Sequence, residues 1–104
     1  MKILRDHQGL AIRLTEERLA HILGHPEMHG LERAIEDALS WPECVVQSYS
    51  DPHSRLYYRF YFGTLVGDKF VCVVVKVTDD DAVVLTAYLT DRVKKGVPLW
   101  PRNE

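Results

Sequence analysis

Three histidines fall within nine residues, His21-Ile22-Leu23-Gly24-His25-Pro26-Glu27-Met28-His29. His21 and His25 are four apart, so a helix would carry both on one side of its last turn. Paired imidazoles can act as general base and general acid, each typically worth ~10²–10⁴ in rate. A metal site would need further ligands, for which His29 and Glu27 are the candidates. Pro26 breaks the helix before His29, and neither a Cys pair nor an HExxH motif accompanies the cluster. The structural alternative is an imidazolium that complements the carboxyl end of the helix dipole.

Other nucleophile and cofactor signatures are missing. There is no GxSxG elbow, P-loop or dinucleotide fingerprint. Cys44 sits beside a strand start, and Cys72 lies among valines. Asp79-Asp80-Asp81 lacks the later Glu of a calcium loop and reads as a solvated turn. No cofactor or metal is expected.

The 104 residues suit one compact domain, spanning 1–104 with its core over about 13–101. Apolar residues make up 46% and charged residues 27%, which excludes a disordered or fibrous chain. No apolar run approaches the ~20 residues of a membrane span, and the first residues lack the apolar stretch of a secretory signal. With only two cysteines, a reduced cytoplasmic protein is the expectation. The net charge of −2 excludes a general DNA-coating protein. Residues 1–52 carry −4 and residues 53–104 carry +2, so any anion belongs with the second half.

Short strands are expected at 2–5 and 10–14, around Asp6-His7-Gln8-Gly9. Thr15 followed by Glu16 and Glu17 predicts a helix start, and Gly24-His25-Pro26 its end. A second helix runs from Leu31 to Ser40 on the stripe Leu31, Ala34, Ile35, Ala38 and Leu39. The period then changes from 3.6 to 2. Strands are predicted at 45–49, 55–62, 69–78 and 82–90, followed by a short helix or turn at 91–95 and an extended tail. The expected fold is α+β, with two N-terminal helices packed on a four-stranded antiparallel meander.

Turn lengths predict the register. A two-residue turn at Gly67-Asp68 pairs Val66 with Lys69, Arg59 with Lys76 and Phe60 with Val75. A three-residue turn at 79–81 pairs Thr78 with Ala82, Lys76 with Val84 and Val74 with Thr86. Leu56, Tyr58, Phe60 and Phe62 then join Val71, Val73 and Val75 beneath the helices. The open face presents Arg55, Tyr57, Arg59, Tyr61, Lys76, Thr86, Tyr88 and Thr90. Arg59 directly opposite Lys76 costs up to about 1 kcal/mol unless an anion lies between them or the two stems bend apart.

The segment Leu14-Thr15-Glu16-Glu17-Arg18-Leu19-Ala20-His21-Ile22-Leu23-Gly24-His25-Pro26-Glu27-Met28 resembles the helical segment of small phage- and mobile-element-associated nuclease-like domains. These are grouped with barnase, EndoU, the tRNA-cutting colicins and the RelE toxins. Val84-Leu85-Thr86-Ala87-Tyr88-Leu89-Thr90 and Val93-Lys94-Lys95-Gly96-Val97-Pro98-Leu99-Trp100 are similar to the group's last strand and terminal motif. The resemblance spans about residues 13–101. It implies toxin-like, metal-independent cleavage of RNA, in which the ribose 2′-hydroxyl attacks phosphorus and leaves a cyclic phosphate. Under it, His21 and His25 are the acid/base pair and Lys76 and Arg59 neutralise phosphate. Thr86, Tyr88 and Thr90 bind RNA through their hydroxyls, and Tyr57 or Tyr61 stacks a base. Expected partners are RNA and an antitoxin or other protein, for a monomer or homodimer. RelE-type toxins are strongly basic, which this chain is not. The alternative is a non-catalytic α+β module binding a protein or nucleic acid. The nuclease reading requires the imidazoles on the helix to meet the cations of the sheet around its edge.

Overall fold

The computed structural model describes residues 1–101. Its elements are β1 (Lys2–Arg5), β2 (Ala11–Leu14), α1 (Glu16–Leu23), α2 (Glu32–Ser40), β3 (Cys44–Ser48), β4 (Ser54–Thr64), β5 (Gly67–Val77), β6 (Ala82–Thr90) and β7 (Gly96–Trp100). Thr15 caps α1 by accepting the Arg18 amide, as its hydroxyl and the following acidic pair predict. Ala34, Ile35, Ala38 and Leu39 are buried on one side of α2.

The strands form one seven-stranded sheet in the order β1-β2-β6-β5-β4-β3-β7. This corrects the four-stranded antiparallel meander: the sheet is mixed, because β2 runs parallel to β6 through Arg13 and Val83. The N-terminal hairpin and the tail supply the three additional strands. β7 pairs with β3 at the sheet edge, where Pro98 is tolerated. Gly96 begins this strand because β7 runs hard against β3; a Cβ there would strike Gln47 O and Val46 Cγ1. Residues 91–95 form no helix.

The register of β4 on β5 also differs from expectation. The turn is centred on Leu65 and Val66, with Thr64 opposite Gly67 and an irregularity back to Tyr61. Arg59 therefore lies opposite Val71, not Lys76, and Phe60 opposite Phe70, not Val75. The displacement is an odd number of residues, so it exchanges the faces of β4. Tyr57 joins Val71, Val73 and Val75 beneath the helices, whereas Leu56 and Tyr58 face the other way with Cys72 and Val46. On the β6 side Val74 does pair with Thr86. A bulge then puts Lys76 opposite Val83 rather than Val84, and Val77, not Thr78, opposite Ala82.

Both faces of the central strands are thus covered. The helices bury the main core, and Val93 packs on the smaller outer cluster. There the Lys94 amide donates to the Tyr58 hydroxyl at 3.0 Å. A flat sheet of seven strands would hold its edges about 29 Å apart at ~4.8 Å per step. Yet His7, just beyond β1, packs edge-on to Trp100 of β7 at 5.0 Å between ring centroids. The sheet is therefore curled, and the tip of the first hairpin crosses its concave side. Among the described residues no helix is long and apolar enough to cross a membrane.

Removing the Tyr58 hydroxyl should release the segment over the outer cluster without unfolding the domain. In Tyr58→Phe, amide exchange at Lys94 should quicken about fivefold, matching one lost hydrogen bond of ~1 kcal/mol. Site-resolved hydrogen exchange would detect it, and unaltered exchange would show that packing of Val93 alone fixes the segment.

Candidate functional site

The residues chosen from the sequence do not converge. His21 and His25 are exposed at the end of α1, with their rings perpendicular and 5.4 Å apart. The α1 helix packs on β6, on the helical side of the sheet. Lys76, Thr86, Tyr88 and Thr90 alternate with the core valines and their partners, so they project from the outer side. Arg59, Tyr57 and Tyr61 are on the helical side, along β4. Sheet and core thus separate Lys76 from both the histidines and Arg59. Among the described residues no group of three or more His, Cys, Asp or Glu side chains could hold a metal ion.

A different set does converge, and it begins with a turn. Asp6 follows β1 and is only 5% exposed. Its Oδ1 accepts the amides of Gln8 and Leu10, each at 2.9 Å, an Asx-type turn that leaves the intervening side chains free. Gly9 closes the turn at φ 86°, a left-handed conformation that glycine adopts without steric cost. Arg5 donates from Nη1 to the Gly9 carbonyl at 3.1 Å. The remaining carboxylate oxygen, Oδ2, accepts the Tyr57 hydroxyl at 2.7 Å, and both residues are buried.

That contact anchors the hairpin tip to β4 and presents His7 and Gln8 to a cleft. One lobe, of about 650 Å³, is bounded by α2's end at Ser40 and Trp41, by Arg59 of β4 and by Trp100 of β7. A second lobe, of about 400 Å³, is bounded by Val45, Arg55 and Leu99. His7 and Gln8 border both. Trp41 is 71% exposed, unusual for a residue with a large aromatic side chain and suited to stacking. Arg59 fixes the end of α2 by donating from Nη1 to the Trp41 carbonyl at 2.7 Å. Ser40 Oγ donates to the Arg5 carbonyl at 3.2 Å, tying the helix to the hairpin. Tyr61, two residues beyond Arg59 on the same face of β4, has a buried hydroxyl that makes no hydrogen bond in good geometry.

The electrostatics follow from this packing. Burial first, then the hydrogen bond and charge of Asp6, hold the Tyr57 hydroxyl protonated well above its usual 10.0, with Arg55 pulling the other way. Burial likewise raises Tyr58 and Tyr88 on the outer face. The Cys72 thiol is pushed up to about 11 by burial, with the hydroxyls of Tyr88 and Tyr58 opposing, so it is no ready nucleophile. Neither Arg55 nor Arg59 has a carboxylate within salt-bridge distance among the described residues, which leaves two guanidinium groups for an anion.

Sequence reasoning picked Arg59 and Tyr57 but missed Asp6, His7, Gln8, Trp41 and Trp100 as site residues. The available signal was Asp6-His7-Gln8-Gly9 itself, a turn with a functional side chain at its tip. No protein-family model, no curated protein and no solved structure matches the chain.

Tyr57→Phe leaves a buried carboxylate oxygen unpaired and should lower the free energy of unfolding by ~1–3 kcal/mol. Because the raised tyrosine values favour the protonated folded state, stability is retained below pH 10.0 and lost as pH climbs past it. Tyr57→Phe should start lower and fall less steeply over that range. Urea titrations from pH 8 to 11 would measure both effects, and parallel curves would deny Tyr57 any part in the alkaline loss.

Proposed function

We propose that the chain is a binding module for single-stranded nucleic acid, working in a reducing cytoplasm where Cys44 and Cys72 remain thiols. One observation carries this reading: two indoles and two guanidinium groups without a carboxylate partner among the described residues border the two lobes of one cleft. Every base has a π-face, so indole stacking is tolerant of sequence, and guanidinium groups suit phosphate. Gln8 adds an amide that can donate to and accept from a base edge. Duplexes keep their bases stacked on one another and could not offer them to Trp41. The chain's net charge of −2 limits the interface to local contacts rather than an extended basic track.

Binding should quench tryptophan fluorescence and weaken only gently with salt. Two phosphate contacts on a single strand give a slope of about −1.4 in log K against log salt. Trp41→Ala and Arg59→Ala should each weaken a single-stranded RNA by about 10-fold or more, since one stacked base is worth ~1–3 kcal/mol. Titration of RNA and duplex oligonucleotides checks this. Equal affinity for duplex, or loss on substituting Lys76 instead, would move the interface to the outer face.

RNA cleavage is a second reading, favoured by His7, which borders both lobes and so lies near both Arg55 and Arg59. There an imidazole could take the 2′-hydroxyl proton as the 2′-oxygen bonds to phosphorus and the bond to the 5′-oxygen breaks, the departing oxygen taking a proton from solvent water, while the guanidinium groups balance charge at phosphorus; the products are a cyclic phosphate and a 5′-hydroxyl. This keeps the nuclease-like resemblance but reassigns its chemistry from His21 and His25. Incubating labelled RNA with the protein in EDTA tests it. Cleavage should fall ~10²–10⁴-fold in His7→Ala and persist in His21→Ala and His25→Ala. The reverse pattern would restore the helix histidines, and intact RNA throughout would leave binding alone.

A further inference from the structure

The cleft is divided, and the division carries information about length. Its two lobes differ in size, about 650 and 400 Å³, yet are built alike. Each pairs an apolar wall with one guanidinium: Trp41 and Trp100 with Arg59, and Val45 and Leu99 with Arg55. The two arginines are four residues apart on one face of β4, which separates their Cα atoms by about 13 Å. Between the lobes runs a ridge of two polar side chains, His7 and Gln8, held up by the Asp6 turn. A single nucleotide fills one lobe and leaves the other guanidinium without an anion. A continuous track for a long strand would show no ridge and no pairing of one cation with one wall.

We infer that the site takes a two-nucleotide step: one nucleoside in each lobe, the joining phosphodiester lying over His7 and Gln8. This rests on the single-strand-binding reading and adds a length to it. The larger lobe, with its indoles, receives the stacked base. The smaller lobe holds the neighbouring nucleoside against Val45 and Leu99, its outer phosphate within reach of Arg55. Both His7 and Gln8 can donate a hydrogen bond to the central phosphodiester.

Deoxyadenylates carrying a 5′-phosphate and one, two or four nucleotides long separate the possibilities, because they have no 2′-hydroxyl and cannot be cut by that route. Affinity is read from tryptophan fluorescence at fixed salt. From one nucleotide to two it should rise about 30-fold, as a second nucleoside and phosphate engage. From two to four it should rise no more than about threefold, because a tetramer merely offers three dinucleotide registers. In Arg55→Ala the affinity for the dinucleotide should fall about tenfold, so that the first step shrinks to threefold or less. A smooth gain with every added nucleotide would overturn the two-lobe assignment while leaving single-strand binding in place. An equal loss for one and two nucleotides in Arg55→Ala would overturn it as well. The length series on the unaltered protein decides the matter even if that variant does not fold. No binding by any of the three, nor by longer single strands, would remove the parent reading.

Discussion

One buried hydrogen bond organises the functional end of this molecule. The Tyr57 hydroxyl reaches from the middle of β4 to the Asp6 carboxylate, across the concave side of the sheet. A buried carboxylate is tolerable only when its lone pairs are satisfied. Asp6 achieves this with two amides of its own turn and one phenol from the core. The same group thus shapes the hairpin tip and moors it. Curling of the sheet, closure towards Trp100 and exposure of His7 and Gln8 all follow from that mooring.

The central strands show why face assignment and function are coupled. Apolar side chains occupy both faces of β4 and β5, because the helices cover one and the 91–95 segment covers part of the other. On the helical side Arg59 and Arg55 of β4 line the cleft, one in each lobe. The outer side keeps Lys76, Thr86 and Tyr88, whose types suggested a ligand surface but which border neither lobe of the cleft.

Local signals in the sequence were reliable where one physical cause dominated. The Thr15 cap, the α2 stripe and the strand cores all stand where period and capping placed them. Misreading began where two causes competed. Gly67-Asp68 looks like a hairpin turn, but the chain turns two residues earlier, at Leu65 and Val66, which then remain exposed. The earlier turn alone would have kept the faces; the irregularity between Tyr61 and Thr64 makes the shift odd and moves the β4 side chains from Arg55 to Tyr61 to the opposite face, a change invisible to apolarity because both registers bury valines. β7 was hidden for another reason: Gly96 and Pro98 are poor strand formers, and only the edge of β3 makes them one. The cleft itself could not be seen at all from local pattern, since its walls come from residues 6–8, 40–42 and 99–100 and are joined only by the curl of the sheet.

The parallel contact of β2 with β6 and the edge position of β7 have a consequence for biosynthesis. Residues 6–8 leave the ribosome well before the wall they face, since Leu99 and Trp100 are made more than ninety positions later. Until then the hairpin has neither β6 to lie against nor an opposite bank. The cleft is therefore complete only once synthesis has run through β7.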